Sequence, residues 1–145
     1  MDRARGVLSS MVVGSGLKQL QDGLAHGLRM VASSAAGEIW LYGLDGVIRV
    51  AADGGLKKLG AVRQAYALGL GKAMAEGGAE TLYLSGDVHG DKGVYRSSDE
   101  GKTWVRIDDK EHEYGSISPI SGDPRVAGRV YLGTNGFGVV VGEPE

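Results

Sequence analysis

A two-part motif recurs along this sequence at intervals of about 45 residues. Glycine-valine pairs open four similar segments at Gly6, Gly46, Gly93 and Gly138, which places these segments 40, 47 and 45 residues apart. Before each of the last three stands a segment with an aliphatic residue, an aromatic residue and a leucine: Ile39–Gly43, Leu82–Gly86 and Val130–Thr134. Because β-branched and aromatic residues favour strands, each motif predicts two strands joined by a glycine-containing loop. A repeat of this length restricts the fold to one built from similar supersecondary units.

Two further short apolar segments accompany the motif and complete a unit of four strands. The predicted first strands are Leu28–Ala32, Ala65–Leu70 and Ser116–Ile120, and the predicted fourth strands are Leu17–Leu20, Leu56–Leu59 and Trp104–Ile107. Four strands in about 45 residues is the size of a β-propeller blade. We therefore predict an all-β fold, a partial β-propeller of four-stranded antiparallel blades. Its predicted units are a partial blade (1–24), two blades (25–62 and 63–109) and a second partial blade (110–145). The alternative is a β-sandwich, which also has short strands and frequent turns.

The number of predicted units is below that of a closed propeller, which has about four to eight blades. Either the chain is part of a larger protein with further blades upstream, or copies of it associate through their open edges. An unpaired strand edge offers free backbone groups to any other strand. The isolated chain is therefore expected to be oligomeric or prone to aggregation.

Composition excludes several classes of partner. The chain of 145 residues has 26 glycines but only three prolines, which fits many tight turns and argues against a disordered linker. Its 16 basic and 18 acidic residues are spread along the chain, so we expect no nucleic-acid partner. No apolar run approaches the roughly 18 residues of a membrane span, and we expect no membrane partner. With no cysteine and only three histidines, we predict no metal site and no cofactor.

The stretch SSDEGKTW, which begins at Ser97, is in this register the turn between the third and fourth strands of blade 63–109. The side chains of Ser97, Asp99 and Thr103 can hydrogen-bond to the backbone of their own turn. Gly101 tolerates a positive φ, and Trp104 can cover the loop. Only the glycine equivalent to Gly101 is retained in the other units. A structural role is therefore favoured over a catalytic or ligand-binding role.

The same stretch matches the Asp-box of sialidase-type propeller repeats, S/T-x-D-x-G-x-T-W/F. Its wider context, GVYRSSDEGKTWVRIDDKEHEYG followed by ISGDPRVAGRVYLGTNGFGVVVGEP, resembles the C-terminal end of glycoside hydrolase family 74, the xyloglucanases. The resemblance covers most of the chain and is strongest from about Ala65 onward. The segment DRARGVLSS is similar to that family's strand ahead of an Asp-box, although the box itself is missing there.

The resemblance implies polysaccharide hydrolysis but supplies no catalytic residue. Family members are similar in having two seven-bladed propellers that hold a branched β-1,4-glucan and hydrolyse it with inversion, using two aspartates. In the family those aspartates lie upstream of the matched region. The resemblance therefore implies a C-terminal fragment that is not catalytic alone, with unknown catalytic residues, a xyloglucan-type partner and an extracellular location. MDRARGVLSS contains no signal-peptide core. The alternative is a non-catalytic Asp-box module that binds a glycan or a protein.

The loops that join second and third strands are expected at the opposite end of each blade from SSDEGKTW. With the segment that begins at Lys110, they form the candidate ligand surface, because acids, imidazoles, amides and aromatic rings suit sugar recognition. The candidate substrate-binding residues are Asp87, His89, Asp91, His112, Tyr114, Asn135 and Phe137. The structural alternatives are hairpin turns for Asp45 and Asp91, a solvated loop for the histidines, Glu111 and Glu113, and packing between blades for Tyr114 and Phe137.

Overall fold

The structure is a computed structural model that describes residues 29–109, 117–136 and 138–144. The described residues form eleven strands and no helix. The strands are β1 (Arg29–Ala32), β2 (Ile39–Gly43), β3 (Gly46–Val50), β4 (Leu56–Lys58), β5 (Val62–Gly71), β6 (Thr81–Val88), β7 (Asp91–Ser97), β8 (Val105–Arg106), β9 (Ile117–Gly122), β10 (Val130–Thr134) and β11 (Gly138–Gly142). The predicted partial blade at 1–24 lies outside the described residues.

The strands form three antiparallel sheets in which sequence neighbours pair. The first sheet has the order β1-β2-β3-β4, the second β5-β6-β7-β8, and the third β11-β10-β9. Strands β2, β3, β10 and β11 have the predicted bounds. The all-β prediction of four-stranded antiparallel blades is confirmed, and the described sheets do not close into a ring. The boundaries of the units remain predictions.

The sheets pack face to face, and this packing explains why central strands such as β2 carry apolar residues at successive positions. In β2, Trp40 packs into a core shared with the second sheet, whereas Leu41 packs into a separate cluster with Ile48 and Val50 of β3. Between the second and third sheets, Tyr83 and Val130 belong to another common core. A strand covered on both faces has no need for polar alternation.

The two ends of the sheets differ, and two names are used for them below. At the loop end, short connections that include residues 44–45, 89–90 and 135–136 join the second and third strands of each sheet, and residues 59–61 connect the first sheet to the second. At the turn end, residues 51–55 and 98–104 join the third and fourth strands. Antiparallel pairing places these two sets of connections at opposite ends of the strands.

Strand β5 is longer than the predicted strand Ala65–Leu70 and contains two irregularities. Its register with β6 shifts between Val62 and Gln64, and again between Ala65 and Ala67. The residues left out of the pairing are Arg63 and Tyr66, both of which are exposed. Such bulges turn a side chain away from the regular alternation of a strand.

Candidate ligand-binding site

The turn at 97–104 is held together by hydrogen bonds among its own residues. Asp99 Oδ1 accepts from Ser97 Oγ (2.8 Å) and from the Thr103 backbone amide (2.9 Å). Asp99 Oδ2 accepts from Thr103 Oγ1 (2.5 Å), and Ser97 Oγ accepts from the Gly101 amide (2.9 Å). These donors, the Thr103 hydroxyl first, hold the pKa of Asp99 down to about 2. A carboxylate with its lone pairs occupied in this way is suited to bracing the turn.

The same turn also packs against the first sheet. Gly101 has a φ of +83°, and a Cβ at this position would lie 2.3 Å from Leu59 Cδ1. Trp104 packs against the core between the first and second sheets. These contacts support the structural role proposed for Ser97, Asp99, Gly101, Thr103 and Trp104.

At the loop end, the connections of the first two sheets lie against each other. The backbone amide of His89 donates to the carbonyl oxygen of Ala61 (2.9 Å). His89 itself has a φ of +54° and an exposed side chain. Asp87 Oδ1 accepts from the Gly90 amide (2.7 Å), which fixes the turn. The loop that contains Asp87 and His89 thus borders the connection 59–61 and presents an imidazole to solvent.

Asp91 lies in the same hairpin but belongs to an ion-pair network. Its Oδ2 is 2.9 Å from Arg106 NH1, and Arg106 Nε is 2.8 Å from Asp108 Oδ1. Asp108 Oδ1 also accepts from the Val94 amide (3.0 Å). The hydrogen bond with Asp108 raises the pKa of Arg106 above its usual value. The Asp91 side chain is 64% exposed although it is paired with Arg106.

Tyr66 and Gln64 were not among the residues that the sequence pointed to. Tyr66 is 38% exposed, and its hydroxyl donates to Gln64 Oε1 (2.7 Å). Gln64 is the cross-strand partner of Asp87. Both residues therefore lie on the edge strand β5 beside the hairpin of Asp87 and His89. The sequence placed Tyr66 inside a regular strand, and the alternation of residues gives no sign of the bulge that exposes it.

The remaining predicted residues are divided between the third sheet and the undescribed parts of the chain. Asn135 is exposed in the β10–β11 connection, also at the loop end. His112, Tyr114 and Phe137, with Glu111 and Glu113, lie outside the described residues. Asp45 is half-buried in the β2–β3 connection. The structure therefore brings Asp87, His89 and Asp91 into one hairpin and places Asn135 at the same end of another sheet.

Two classes of site are absent from the described part of the chain. No three His, Asp or Glu residues there are arranged to hold a metal ion. No helix in the same residues is long and apolar enough to cross a membrane.

The relatives found by comparison with known proteins are all xyloglucanases. A xyloglucanase, Xgh74A, from Acetivibrio thermocellus is 46% identical over 111 residues, which are 74% of this chain and 13% of that protein. An oligoxyloglucan-reducing end-specific xyloglucanase from Emericella nidulans is 45% identical over 113 residues, 72% of this chain and 14% of that protein. No protein-family model matches the chain.

Solved structures agree with these relatives. The crystal structure of the GH74 xyloglucanase from Xanthomonas campestris matches 82% of this chain with a TM-score of 0.75 and 40% identity. The GH74 enzyme of Niastella koreensis matches 78% with a TM-score of 0.73 and 34% identity. In both cases the match covers 17% of the longer chain. The chain thus spans about one seventh of the length of the xyloglucanases compared with it by sequence.

Proposed function

The chain belongs, as a segment, to glycoside hydrolase family 74, and we propose that it forms part of the glycan-contacting surface of a xyloglucan hydrolase. In this proposal the loop end and the edge strand β5 bind a xyloglucan-type polysaccharide. The segment does not hydrolyse the glycan alone. Because a polysaccharide is too large to enter a cell, we also propose an extracellular location.

The observation that carries this proposal is the exposed ring of Tyr66 beside polar side chains. An aromatic ring offers a flat apolar face to the apolar face of a sugar, and neighbouring amides and carboxylates fix its hydroxyls by hydrogen bonding. Gln64 is hydrogen-bonded to the Tyr66 hydroxyl, and Asp87 is paired with Gln64 across the strands. The exposed side chain of His89 lies in the same hairpin as Asp87.

The carboxylates at this surface do not have the properties of a hydrolytic pair. An inverting glycosidase needs one protonated and one ionised carboxyl, about 6.5 to 9.5 Å apart, with room for a water molecule. Asp87 is bound to the Gly90 amide, and Asp91 is bound to Arg106. Each of the two carboxylates thus already has a hydrogen-bond or ion-pair partner within its own sheet. We therefore propose that the acid and the base come from parts of a family 74 enzyme that this chain does not include.

The test measures the affinity of the purified chain for a xyloglucan oligosaccharide by isothermal titration calorimetry. Tyr66→Ala is expected to weaken binding about tenfold, or about 1.4 kcal/mol, and Tyr66→Phe to retain most of it. Lys57→Ala is the control, because Lys57 is also exposed but lies on β4, the outer strand of the first sheet. Equal affinities of Tyr66→Ala and the wild type would contradict the site.

A reducing-sugar assay on xyloglucan separates this proposal from its alternative. Binding without release of reducing ends is expected of a segment that contacts the glycan but lacks the acid and the base. Turnover by the purified chain would contradict our assignment of the catalytic groups. Binding without turnover also fits the alternative in its glycan-binding form, a non-catalytic module that binds a glycan. The absence of both binding and turnover would favour its other form, a non-catalytic module that binds a protein.

A second proposal concerns association between copies of the chain. Within the described residues β11 pairs only with β10, so its outer edge presents backbone amides and carbonyls. Val139 and Val141 on this strand are 70% and 47% exposed. An apolar strand with a free edge is a template for pairing with another strand. We propose that copies of the chain associate through β11.

A further inference from the structure

Two equivalent clefts lie at the turn end, one between the first and second sheets and one between the second and third. In each cleft an aromatic residue of a second strand is the cross-strand partner of an arginine on the neighbouring third strand. The pairs are Trp40 with Arg49 and Tyr83 with Arg96. Each pair lines its cleft, which has a volume of about 340 Å³ in the first case and about 410 Å³ in the second.

In the first cleft the arginine is neutralised by carboxylates. Arg49 Nη2 is 2.7 Å from Glu38 Oε1, and Arg49 Nη1 is 2.8 Å from Glu100 Oε2. Glu100 comes from the turn at 98–104 of the second sheet, so one carboxylate reaches the arginine from the neighbouring sheet. The Arg49 guanidinium also lies over the ring of Trp40, 5.8 Å from its centroid. In the first cleft, the arginine of the aromatic-arginine pair is thus bound by carboxylates.

In the second cleft the equivalent donors have no acceptor among the described residues. Tyr83 is only 1% exposed, and its buried hydroxyl donates to no group in that part of the chain, although the backbone of Gly128 lies against its oxygen. Burial raises the pKa of Tyr83, and the nearby charge of Arg96 opposes this rise. Arg96 forms no ion pair with any residue that the structure describes. A buried hydroxyl without a partner is rare in folded proteins and calls for an explanation.

The other charged groups of the second cleft are already engaged. Arg106 is bound to Asp91 and Asp108. Glu143 is bound to Arg129, with 3.1 Å between Oε1 and Nε. The lining also includes three large apolar side chains that are exposed, Met74, Val105 and Ile107. Within the described part of the chain, Tyr83 and Arg96 are thus the donors of this cleft that have no acceptor.

We propose that this second cleft is a carboxylate-binding site in which Arg96 and the Tyr83 hydroxyl donate to the two oxygens of one carboxylate. Arginine binds carboxylates with two parallel, charge-assisted hydrogen bonds, and a tyrosine hydroxyl adds a neutral one. Two sources can supply the group. One is a small organic acid such as a sugar acid. The other is the side chain of Glu145, which follows Gly138 by seven residues as Glu100 follows Gly93; Glu145 lies outside the described residues.

The first arm of the test follows the arginine Nε–H signals by NMR while glucuronate is added to the full chain. Glucose is the matched control, because it has the same ring without the carboxylate. We expect glucuronate at millimolar concentration to shift the Arg96 signal and to leave that of Arg49, which is already paired, unchanged. Tyr83→Phe keeps the ring and removes the hydroxyl, and should weaken glucuronate binding several-fold. Arg96→Met should abolish glucuronate binding, and Arg96→Lys should retain part of the affinity for glucuronate.

The second arm identifies the source. If Glu145 supplies the carboxylate, Glu145→Gln shifts the Arg96 Nε–H signal in the absence of any sugar and strengthens glucuronate binding. If a free organic acid supplies the carboxylate, Glu145→Gln leaves the Arg96 Nε–H signal unchanged, and glucuronate still shifts that signal. The proposal is overturned if neither glucuronate nor Glu145→Gln changes the Arg96 signal, or if glucose and glucuronate shift it equally.

Discussion

Asp123 is a buried carboxylate that is held in its ionised form. It is 1% exposed, and it accepts hydrogen bonds from the Tyr131 hydroxyl (2.7 Å) and from the backbone amides of Arg125 (2.7 Å) and Val126 (3.1 Å). These donors, Tyr131 first, hold its pKa down to about 2, against an ordinary value of 3.8. Because the pKa is lower in the folded state, the ionised group stabilises the fold above about pH 4. This stabilisation is lost as the pH falls toward 2.

Replacement of this carboxylate is expected to change how stability depends on pH. Asp123→Asn should lower the Tm at pH 7 by a few degrees, because an amide cannot accept from all three donors. Between pH 5 and pH 2 its Tm should fall less steeply than that of the wild type, as measured by calorimetry at a series of pH values. Tyr131→Phe removes a single donor and should give an intermediate slope. Equal slopes for Asp123→Asn and the wild type would contradict this account.

Side chains with partners close in sequence were predictable, and those with partners on other strands were not. The bonds of Asp99 run to residues at most four positions away, so the motif itself indicated them. The hydroxyl that reaches Asp123 comes from Tyr131 on β10. Tyr66 is exposed by a bulge, which the sequence pattern did not reveal. In both cases the missing information lies in the pairing of strands.

At the scale of elements, β5 and β9 approach so closely that their contact requires glycine. A Cβ on Gly69 would lie 2.4 Å from the carbonyl oxygen of Ile120, and a Cβ on Gly122 would lie 2.5 Å from the Cα of Gly71. Both distances are to backbone atoms, which cannot rotate away as a side chain can. The second and third sheets are therefore held at a separation that only glycine at these positions permits.

Gly69→Ala is expected to destabilise the fold by about 1 to 3 kcal/mol, because it overpacks the contact between β5 and β9. Urea unfolding followed by tryptophan fluorescence measures this effect. Gly60→Ala is the matched control, since nothing lies within 4 Å of a Cβ there and its φ is not positive, and it should stay within about 0.5 kcal/mol of the wild type. Similar effects of the two substitutions would show that the close contact of the strands does not limit stability.

The positions of the strands followed from the sequence, but their lengths and contacts did not. The bounds of β2 and β3 were predictable because both strands are short runs rich in aliphatic, aromatic and β-branched residues, which fit a pleated surface. Strand β5 extends from Val62 to Gly71, although Arg63 and Gln64 near its start are polar and Arg63 lies outside the register with β6. Pairing with the long strand β6 supplies the hydrogen bonds that hold this polar stretch in the sheet.

At the scale of the whole molecule, the repeat predicted the succession of sheets because each unit must bury its apolar faces against a neighbour. The contacts that join the sheets were beyond the sequence. Arg49 and Glu100 are 51 positions apart and meet only because the second sheet packs on the first. The pair of Tyr83 and Arg96 in the second cleft is a candidate site because the equivalent arginine of the first cleft, Arg49, is paired with Glu100. Internal repeats thus provide a reference for judging which groups lack a partner.

The outer edge of β11, which pairs with no strand in the described part of the chain, gives the last prediction, which concerns the molecule in solution. If copies associate through this strand, light scattering after size exclusion should give a mass above the 15.1 kDa of one chain, rising with concentration. Val139→Lys combined with Val141→Lys places charge on the edge strand and should return the mass toward that of a monomer. Leu44→Lys at the loop end, where Leu44 is 49% exposed, controls for a general effect of added charge. A wild type of 15.1 kDa at every concentration would contradict association through β11, and equal effects of both variants would place the contact elsewhere.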